Sequence, residues 1–249
     1  MRYSEIDNIL EEQILEGSYE EVIALDNPKI DSFLHRFTFY KVFYIFMIGS
    51  IFGCYLEQIQ YYLHRSIWEC RAGVIWGPFS EIYGFGAVIV FLLYKKMKSN
   101  SPLIIFGISA VAGSFFEYMA RLFQEIAFHS ITWDYSNQPF NLGGRTSLKY
   151  AVCWGMLGFI FIQFIFPVLD RQLENIRGRL ALEFTWVLII FMVVNLLFSA
   201  IAVNRWSERL HGLPSDGHID EFMDIHYNND EMRLIFPHMK FLDAPNKNA

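Results

Sequence analysis

Ionisable side chains stand at the ends of apolar runs that are long enough to cross a lipid bilayer. They are Glu57, Glu117, Arg121, Glu125, Asp134, Arg145 and Arg205. An ionisable group at membrane depth costs about 3 kcal/mol or more, so it is retained mainly where it faces a polar cavity, a partner or a substrate. These residues are therefore the first candidates for function.

The third apolar run carries a polar stripe. Gly113, Glu117, Arg121 and Glu125 recur at every fourth position, a spacing that places them on one face of a helix. Two interpretations remain open at this point. The stripe either pairs internally and lets the helix end in the membrane interface, or it forms one wall of a polar pocket.

A similar stripe ends the first apolar run, where Gly49, Gly53 and Glu57 are four residues apart. Glycines on one helix face permit a second helix to approach closely. The stripe is thus either a packing face with one acid that reaches the interface, or part of the same pocket.

The segment 71–86 has an unusual density of glycine and proline for the start of a membrane span. It begins at Arg71 and contains four glycines, Pro78 and the aromatic residues Trp76 and Tyr83. Such a composition allows backbone turns or a close approach of backbone to a ligand. A tight turn combined with helix packing explains the glycines equally well.

A second group of candidates lies between residues 133 and 145. Trp133, Asp134, Tyr135, Asn141 and Arg145 offer stacking surfaces, hydrogen-bond donors and acceptors in one loop. Arg145 suits bidentate binding of a phosphate or carboxylate, or a simple ion pair with Asp134. The nearby glycines do not form a nucleotide-binding fingerprint, since no strand precedes them and no P-loop pattern occurs in the chain.

Composition favours a membrane protein. Hydrophobic residues make up 53% of the chain and charged residues 18%, whereas soluble domains carry about 25% charged residues. The net charge of −6 comes from two acidic ends around a mildly basic body. We therefore expect an acidic helical cap at residues 1–36, a transmembrane bundle at 37–206 and an acidic tail at 207–249.

Hydropathy predicts an all-α, polytopic transmembrane helix bundle of about five spans with short acidic soluble ends. The predicted spans are Phe37–Leu56, Val74–Tyr94, Leu103–Phe123, Ala151–Val168 and Phe184–Val203. The second is the weakest, because Gly77-Pro78 and Glu81 interrupt its start and favour a re-entrant or irregular beginning.

The distribution of basic residues predicts the orientation. The side that holds the N-terminus receives Lys29, Arg36, Lys95, Lys96, Lys98, Arg171, Arg177 and Arg179. The other side receives Arg65, Arg71, Arg145, Lys149, Arg205 and Arg209. The positive-inside rule favours a cytoplasmic N-terminus in the cell membrane. All the polar motifs then reach the external face.

At these residues the chain resembles a known family, the putative ABC-transporter type IV permeases, which are multi-pass bacterial membrane proteins. The resemblance covers roughly residues 40–160. It rests on Gly77-Pro78-Phe79, Ile82-Tyr83-Gly84-Phe85-Gly86, Glu117, Trp133-Asp134-Tyr135-Ser136, Asn141 and Gly144-Arg145, and Arg205-Trp206 with Arg209 is similar to the end of longer members.

Two positions depart from the family pattern. Arg71-Ala72-Gly73 stands where the family has Asn-Arg-Gly, and Glu81 stands where it has proline. The first change shifts the local arginine by one position. A role carried over from the family to Arg71 is therefore not secured by the motif.

The remaining polar residues suggest no cofactor. Cys54, Cys70 and Cys153 lie in or beside apolar runs, which is typical of structural packing. The histidines and acids of the C-terminal region match no familiar metal-ligand spacing, so no metal site and no nucleic-acid partner are expected.

Three classes of function remain open. The first is a transporter permease in the lipid bilayer, with a separate ATPase subunit and an unknown small-molecule or lipid substrate. The connections at 95–101 and 169–179 are short, however, and leave little surface on which an ATPase could act. The second is a membrane-embedded enzyme or binding protein for a lipid or polar amphiphile, and the third is a structural subunit.

The first two classes share one structural expectation. We expect one external pocket that joins Glu57, Tyr83, Glu117, Asp134, Asn141 and Arg145. With five spans, every motif-bearing segment reaches the same side of the membrane, and buried polar groups left apart would each need another partner. Arg71, Arg121, Trp133, Tyr135 and Arg205 complete the candidate substrate-binding residues.

Overall fold

The computed structural model describes residues 39–97, 101–176 and 178–242. The helices up to residue 210 are α1 (Phe39–Arg65), α2 (Glu81–Met97), α3 (Pro102–Phe128), α4 (Leu148–Ile160), α5 (Phe166–Glu174) and α6 (Arg179–Leu210). A π-helical segment, Phe161–Ile165, joins α4 to α5, and two short helices follow α6, namely α7 (His218–His226) and α8 (Asn229–Ile235). The predicted all-α class is confirmed. The predicted cap at 1–36 lies outside the described residues.

Four strands of two residues each connect the ends of these helices. They are β1 (Ser130–Ile131), β2 (Asn141–Leu142), β3 (Thr146–Ser147) and β4 (Lys240–Phe241). Strands β2 and β3 form an antiparallel hairpin. Strand β1 pairs antiparallel with β4, which ties the C-terminal region to the loop after α3.

The helices form the multi-pass bundle that the hydropathy predicts. Four helical stretches are long and apolar enough to cross a membrane: Phe39–Arg65, Pro102–Phe128, Leu148–Glu174 and Arg179–Leu210. Helix α2 is shorter, with 17 residues, and at about 1.5 Å per residue it can cross most of the hydrocarbon core. Bundle surfaces carry exposed apolar side chains such as Leu103 and Val111, which suit a lipid environment.

Helix α2 lies antiparallel along α1, and glycines set the distance between them. A methyl group added to Gly53 would overlap the ring of Tyr83, and one added to Gly49 would lie 2.8 Å from Ala87 Cβ. Farther along the pair, Ile45 packs with Phe91. The partners on α2 thus move toward its C-terminus as the positions on α1 move toward its N-terminus, which is the pattern of two antiparallel helices in contact along their length.

Trp154 of α4 fills the space between α2 and α3. Side-chain atoms of Trp154 occupy the places where Cβ atoms at Gly86 and Gly113 would lie. On the same helix pair, Gly158 accommodates Ser109 of α3. Glycines on α2 and α3 thus allow the large indole ring of α4 to join the three helices.

The segment before α2 is irregular, as Gly77-Pro78 predicted. Residues 67–80 form neither helix nor strand. Helix α6 supplies partners for this backbone: Asn195 accepts from the Trp76 amide at 3.1 Å and donates to the Trp76 carbonyl at 2.7 Å, and Ser199 accepts from the Ile75 amide at 2.9 Å. Irregular backbone at membrane depth needs such partners, because lipid offers none.

A π-helical segment interrupts the fourth span before Pro167. Proline lacks an amide hydrogen and its ring collides with the carbonyl one turn earlier in a regular α-helix. The Phe166 amide instead bonds to the carbonyl of Phe161, five residues back. The wider turn accommodates Pro167 within the span and ends beside α2, where Phe166 packs on Phe91.

An ion pair closes the bundle at the end that holds the start of α1. Lys41 Nζ lies 2.6 Å from Asp170 of α5, and 3.7 Å from Glu174. The start of α1, the end of α2 and the end of α5 therefore share one face. The end of α1, the start of α2 and the end of α3 share the opposite face.

Residues 207–242 form a folded cap, which corrects the prediction of an acidic tail for this part of 207–249. Helix α6 continues to Leu210, and α7 and α8 fold back on it. The shared apolar core consists of Ala202, Val203, Trp206, Met223, Met232 and Phe236. Burial of these apolar side chains outweighs the repulsion of the acidic surface, which stays in water.

Candidate functional site

The polar motifs meet at the face where α1 ends and α2 begins. Hydrogen bonds between side chains connect α1 to α2 and α3 to the following loop. Trp154 of α4 packs against both α2 and α3. The two groups of hydrogen bonds therefore lie in one region of the bundle. This arrangement follows from the alternating directions of the spans.

Glu57 and Tyr83 form the first pair of the site. Tyr83 Oη donates to Oε1 of Glu57 at 3.1 Å. Glu57 is half-buried, and among the described residues only its Oε1 atom receives a hydrogen bond. Its second oxygen can accept from a ligand.

Glu117 is more deeply placed, with only 5% of its surface exposed. Tyr135 Oη donates to its Oε1 at 3.1 Å, and Thr146 Oγ1 donates to its Oε2 at 2.7 Å. Tyr135 stacks on Tyr150 of α4 with ring centroids 3.9 Å apart. Burial and the charge of Glu117 raise the pKa of Tyr135 well above its usual range, so that its hydroxyl remains a donor.

The two carboxylates belong to one cluster. Glu57 and Glu117 lie close enough for their charges to interact, and Tyr83 interacts electrostatically with both of them and with Tyr150. Trp154 packs beside Tyr83 with centroids 5.7 Å apart. We call Glu57, Tyr83, Glu117, Tyr135 and Tyr150 the acid–tyrosine site.

Neither carboxylate of the acid–tyrosine site forms an ion pair with a described residue. Across residues 39–97, 101–176 and 178–242, no lysine or arginine nitrogen makes a salt bridge with Glu57 or Glu117. The carboxylate of Glu57 interacts electrostatically with the guanidinium of Arg71 at longer range. Tyrosine and threonine hydroxyls therefore satisfy these acids in place of a cation.

The other charges of the third-span stripe form a separate chain. Arg121 Nε lies 3.0 Å from Oε1 of Glu125, and Arg145 Nη2 lies 2.5 Å from Oε2 of the same residue. Arg145 also lies over the ring of Tyr118 at 5.3 Å. The stripe thus divides: Arg121 and Glu125 pair with each other, while Glu117 joins the acid–tyrosine site.

Asp134 and Asn141 hold the loop in shape. Asp134 is exposed and accepts hydrogen bonds from the Ser136 amide and hydroxyl, which lower the pKa of its carboxyl. Asn141 donates to the carbonyls of Ser136 and Gln138 and accepts from the Gly144 amide. These side chains fix the turn that carries Tyr135 to Glu117.

Trp133 and Arg145 fasten the same loop to the hairpin. Trp133 Nε1 donates to the carbonyl of Arg145 at 2.9 Å. The bond with Glu125 raises the pKa of Arg145 and keeps its guanidinium charged. Gly143 and Gly144 have φ of 58° and 71°, and a side chain on Gly144 would collide with Asp134.

Arg71 and Arg205, which were also predicted as site residues, contact groups outside the acid–tyrosine site. Arg71 lies 4.1 Å over the ring of Tyr61 and 3.7 Å from Glu69. Arg205 is only 3% exposed and binds Asp224 through two hydrogen bonds of 2.9 Å. Arg205 therefore anchors the C-terminal cap, and the structure does not bring it to the acid–tyrosine site.

Sequence reasoning missed three contributors to the site, namely Thr146, Tyr150 and Trp154. Tyr150 and Trp154 are four residues apart, which places them on one face of α4. The spacing could have indicated this shared face. Both residues lie in an apolar run, however, where aromatic side chains ordinarily serve only in packing. Thr146 carried no pattern of its own.

Metal chemistry has no evident place among the described residues. No group of three or more histidine, cysteine, aspartate or glutamate side chains in the described parts of the chain is arranged to hold a metal ion. The acid–tyrosine site offers hydrogen-bond acceptors from carboxylates and donors from hydroxyls. Such a set suits recognition of a polar or cationic group.

Comparison with known protein families gives one match. Residues 44–200 match the family described as putative ABC-transporter type IV. No solved structure matches the chain. The matched region runs from α1 into α6 and includes every residue of the acid–tyrosine site. Because the match covers well over half of the 249 residues, the chain belongs to the putative ABC-transporter type IV family.

Proposed function

We propose that this chain is the membrane subunit of a transporter and takes the polar part of its substrate at the acid–tyrosine site. The observation that carries the proposal is the pair Glu57 and Glu117, two carboxylates at membrane depth without an ion pair among the described residues. Retaining such groups is costly unless they bind something. A cationic or hydrogen-bond-donating substrate would provide a donor for the Glu57 oxygen that accepts no bond from the described residues, and a cationic one would also place a positive charge beside both carboxylates.

The neighbouring side chains suit this role. Tyr83 and Tyr135 hold the carboxylates in fixed positions through their hydroxyls. Their rings are packed against Trp154 and Tyr150, respectively. A prearranged pair of acceptors binds a ligand with less loss of side-chain freedom than a mobile one.

We assign ATP hydrolysis to a separate subunit. Membership of a transporter family supports such a partner. We place its contact at the face that carries Lys41 and Asp170, where the connection between α5 and α6 is short. In the proposed orientation that face is cytoplasmic.

Purification of the full chain from its native membranes tests the proposal. We expect an ATPase to copurify, and its ATP hydrolysis in reconstituted vesicles to depend on the chain. The double variant Glu57→Gln, Glu117→Gln should keep the assembly but lower hydrolysis about tenfold, equivalent to about 1.4 kcal/mol. Asp230→Asn, which alters an exposed pair with Arg233 in the C-terminal cap, at the other end of α6, is the control and should behave as the unchanged protein.

Two results would overturn the proposal. One is the absence of any ATPase from the purified assembly, and the other is full hydrolysis in the double variant. The alternative is a protein that binds or modifies a lipid without ATP. An apolar groove beside Tyr83 favours that alternative.

A further inference from the structure

An apolar groove starts at the acid–tyrosine site and descends along the bundle. Its walls come from α1, α2, α4 and the π-helical segment, and include Ile48, Tyr83, Val90, Trp154, Leu157 and Ile165. Tyr83 belongs to both features, since its ring lines the groove and its hydroxyl bonds to Glu57.

The groove opens sideways toward the surroundings of the bundle. Phe52 and Ile160 line it and are 49% and 37% exposed. Both residues belong to stretches that can cross a membrane. The opening therefore faces hydrocarbon, and a molecule can enter it from the bilayer without passing through water.

The length of the groove suits an acyl chain. Tyr83 and Val90 mark two of its levels on α2, and seven residues of helix span about 10 Å. That distance is most of the roughly 15 Å hydrocarbon depth of one leaflet. A chain seated in the groove would thus have its polar end beside Tyr83 and its methyl end near the centre of the membrane.

The carboxylates of Glu57 and Glu117 determine which polar group suits the end of a bound molecule that lies beside Tyr83. Glu57 has an oxygen that accepts no bond from the described residues, and Glu117 lies in the same cluster without an ion pair there. Carboxylates accept hydrogen bonds and attract cations. A primary ammonium group, with three N–H donors and one positive charge, complements both requirements.

We propose that the groove holds one acyl chain of a bilayer lipid whose headgroup carries a primary amine, with the ammonium group bound at Glu57 and Glu117. This inference rests on the proposed function, since it names the substrate class of the same site. Arg71 interacts with Glu57 at longer range. The occupant is thus a lipid taken from the membrane.

Lipid retention measured by native mass spectrometry tests the inference. The delipidated full chain is given phosphatidylethanolamine, phosphatidylcholine or phosphatidylglycerol with identical acyl chains. We expect about tenfold greater retention of phosphatidylethanolamine, equivalent to about 1.4 kcal/mol. The double variant Glu57→Gln, Glu117→Gln should bind the three lipids equally.

Filling the groove separates specific binding from general contact with lipid. Ile48→Trp should abolish retention, and Leu157→Trp on a different helix should do the same. A fold defect in one of them would be recognised by its elution volume. Val111→Trp is the control, since Val111 is 74% exposed on α3 and lies outside the groove. It should retain lipid as the unchanged protein does.

The outcomes distinguish this inference from the proposed function. Equal retention of the three lipids by the unchanged protein, or normal retention in both groove-filling variants, would overturn the lipid assignment. If ATP hydrolysis still depended on Glu57 and Glu117, the transporter role would stand with another substrate. Retention of the amine lipid without any ATPase would instead support the lipid-binding alternative.

Discussion

Tyr83 of α2 reaches Glu57 of α1 where the two helices pack closely, and this packing needs glycine at position 53. The hydroxyl of Tyr83 lies 3.1 Å from Glu57 Oε1, while its ring occupies the space next to Gly53. Helix packing and the geometry of the site therefore depend on the same residue.

Gly53→Ala should destabilise the bundle and disturb the site. The added methyl group overlaps the Tyr83 ring, and relief of such overpacking costs about 1–3 kcal/mol. Thermal unfolding of the detergent-solubilised protein measures the change. Gly107→Ala is the matched control, because nothing lies within 4 Å of its added Cβ. An unchanged midpoint for Gly53→Ala would contradict the close packing.

Glu125 should couple energetically to Arg145. Glu125→Ala leaves the guanidiniums of Arg121 and Arg145 without their carboxylate, and loss of one partner of a buried pair costs about 3–5 kcal/mol. Arg145 is partly exposed, so Arg145→Ala should cost less. In a double-mutant cycle we expect a coupling energy of about 1–3 kcal/mol. Strict additivity would show that the pair contributes nothing.

Asp224 should be essential for the C-terminal cap. Asp224→Asn removes the carboxylate that binds Arg205 through two hydrogen bonds and Arg209 through one. We expect a loss of about 2 kcal/mol, less than for a fully buried pair because Glu208 still contacts Arg205. The rate of proteolysis within residues 211–242 measures this loss of stability, and it should be higher in Asp224→Asn than in the unchanged protein.

Asp230→Asn provides the control for this change. Asp230 is 90% exposed and pairs with Arg233 on the surface of α8, and such pairs contribute at most about 1 kcal/mol. Its protease sensitivity should stay near that of the unchanged protein. Equal sensitivity of both variants would remove the proposed role of Asp224.

Acidification should weaken the cap through His238. Burial, followed by the positive charge of Arg71, lowers the pKa of His238 although Glu69 lies beside it. The neutral form is therefore favoured in the folded cap. The contribution of neutral His238 to the stability of the cap is fully present above the pKa that histidine has in the unfolded chain, about 6.5. It is lost as the pH falls from there toward the lower pKa of His238 in the folded cap.

Proteolysis of the cap between pH 7.5 and 5 measures this effect. We expect His238→Gln to flatten the pH dependence, because it removes the titrating ring. Greater stability at acidic pH would mean that the charged pair with Glu69 dominates over burial.

Labelling in intact cells should establish the orientation. On a background without Cys54, Cys70 and Cys153, a cysteine at Gly217 should react with an impermeant reagent, and one at Asn175 should be protected until the cells are permeabilised. Both positions are exposed, at opposite ends of α6. The reverse pattern would invert the protein, and labelling of both would require an even number of crossings between them.

Hydropathy was sufficient to predict the bundle, because each crossing helix is a long apolar run. Gly77-Pro78 likewise indicated the irregular lead into α2. The cap was missed because Met223, Met232 and Phe236 are scattered among acidic residues, and only their contact with Trp206 reveals a core. Spacing alone shows no such tertiary contact.

The candidate site was predictable in part for the same reason. The four-residue spacing placed Glu117, Arg121 and Glu125 on one face, but it could not assign their partners. Thr146 and Tyr135 reach Glu117 only through the loop geometry set by Asn141 and Gly144. Helical periodicity therefore located the acids, and loop conformation decided which neighbours they received.

The bonds between Trp76 and Asn195 join residues 119 positions apart. During synthesis from the N-terminus, the lead into α2 leaves the ribosome long before α6 has been made. Until then, the amide and carbonyl of Trp76 lack the partner they have in the finished fold. Completion of the last long helix is therefore also the moment at which the Gly-Pro segment acquires its final backbone, so assembly of this face is a late event in biogenesis.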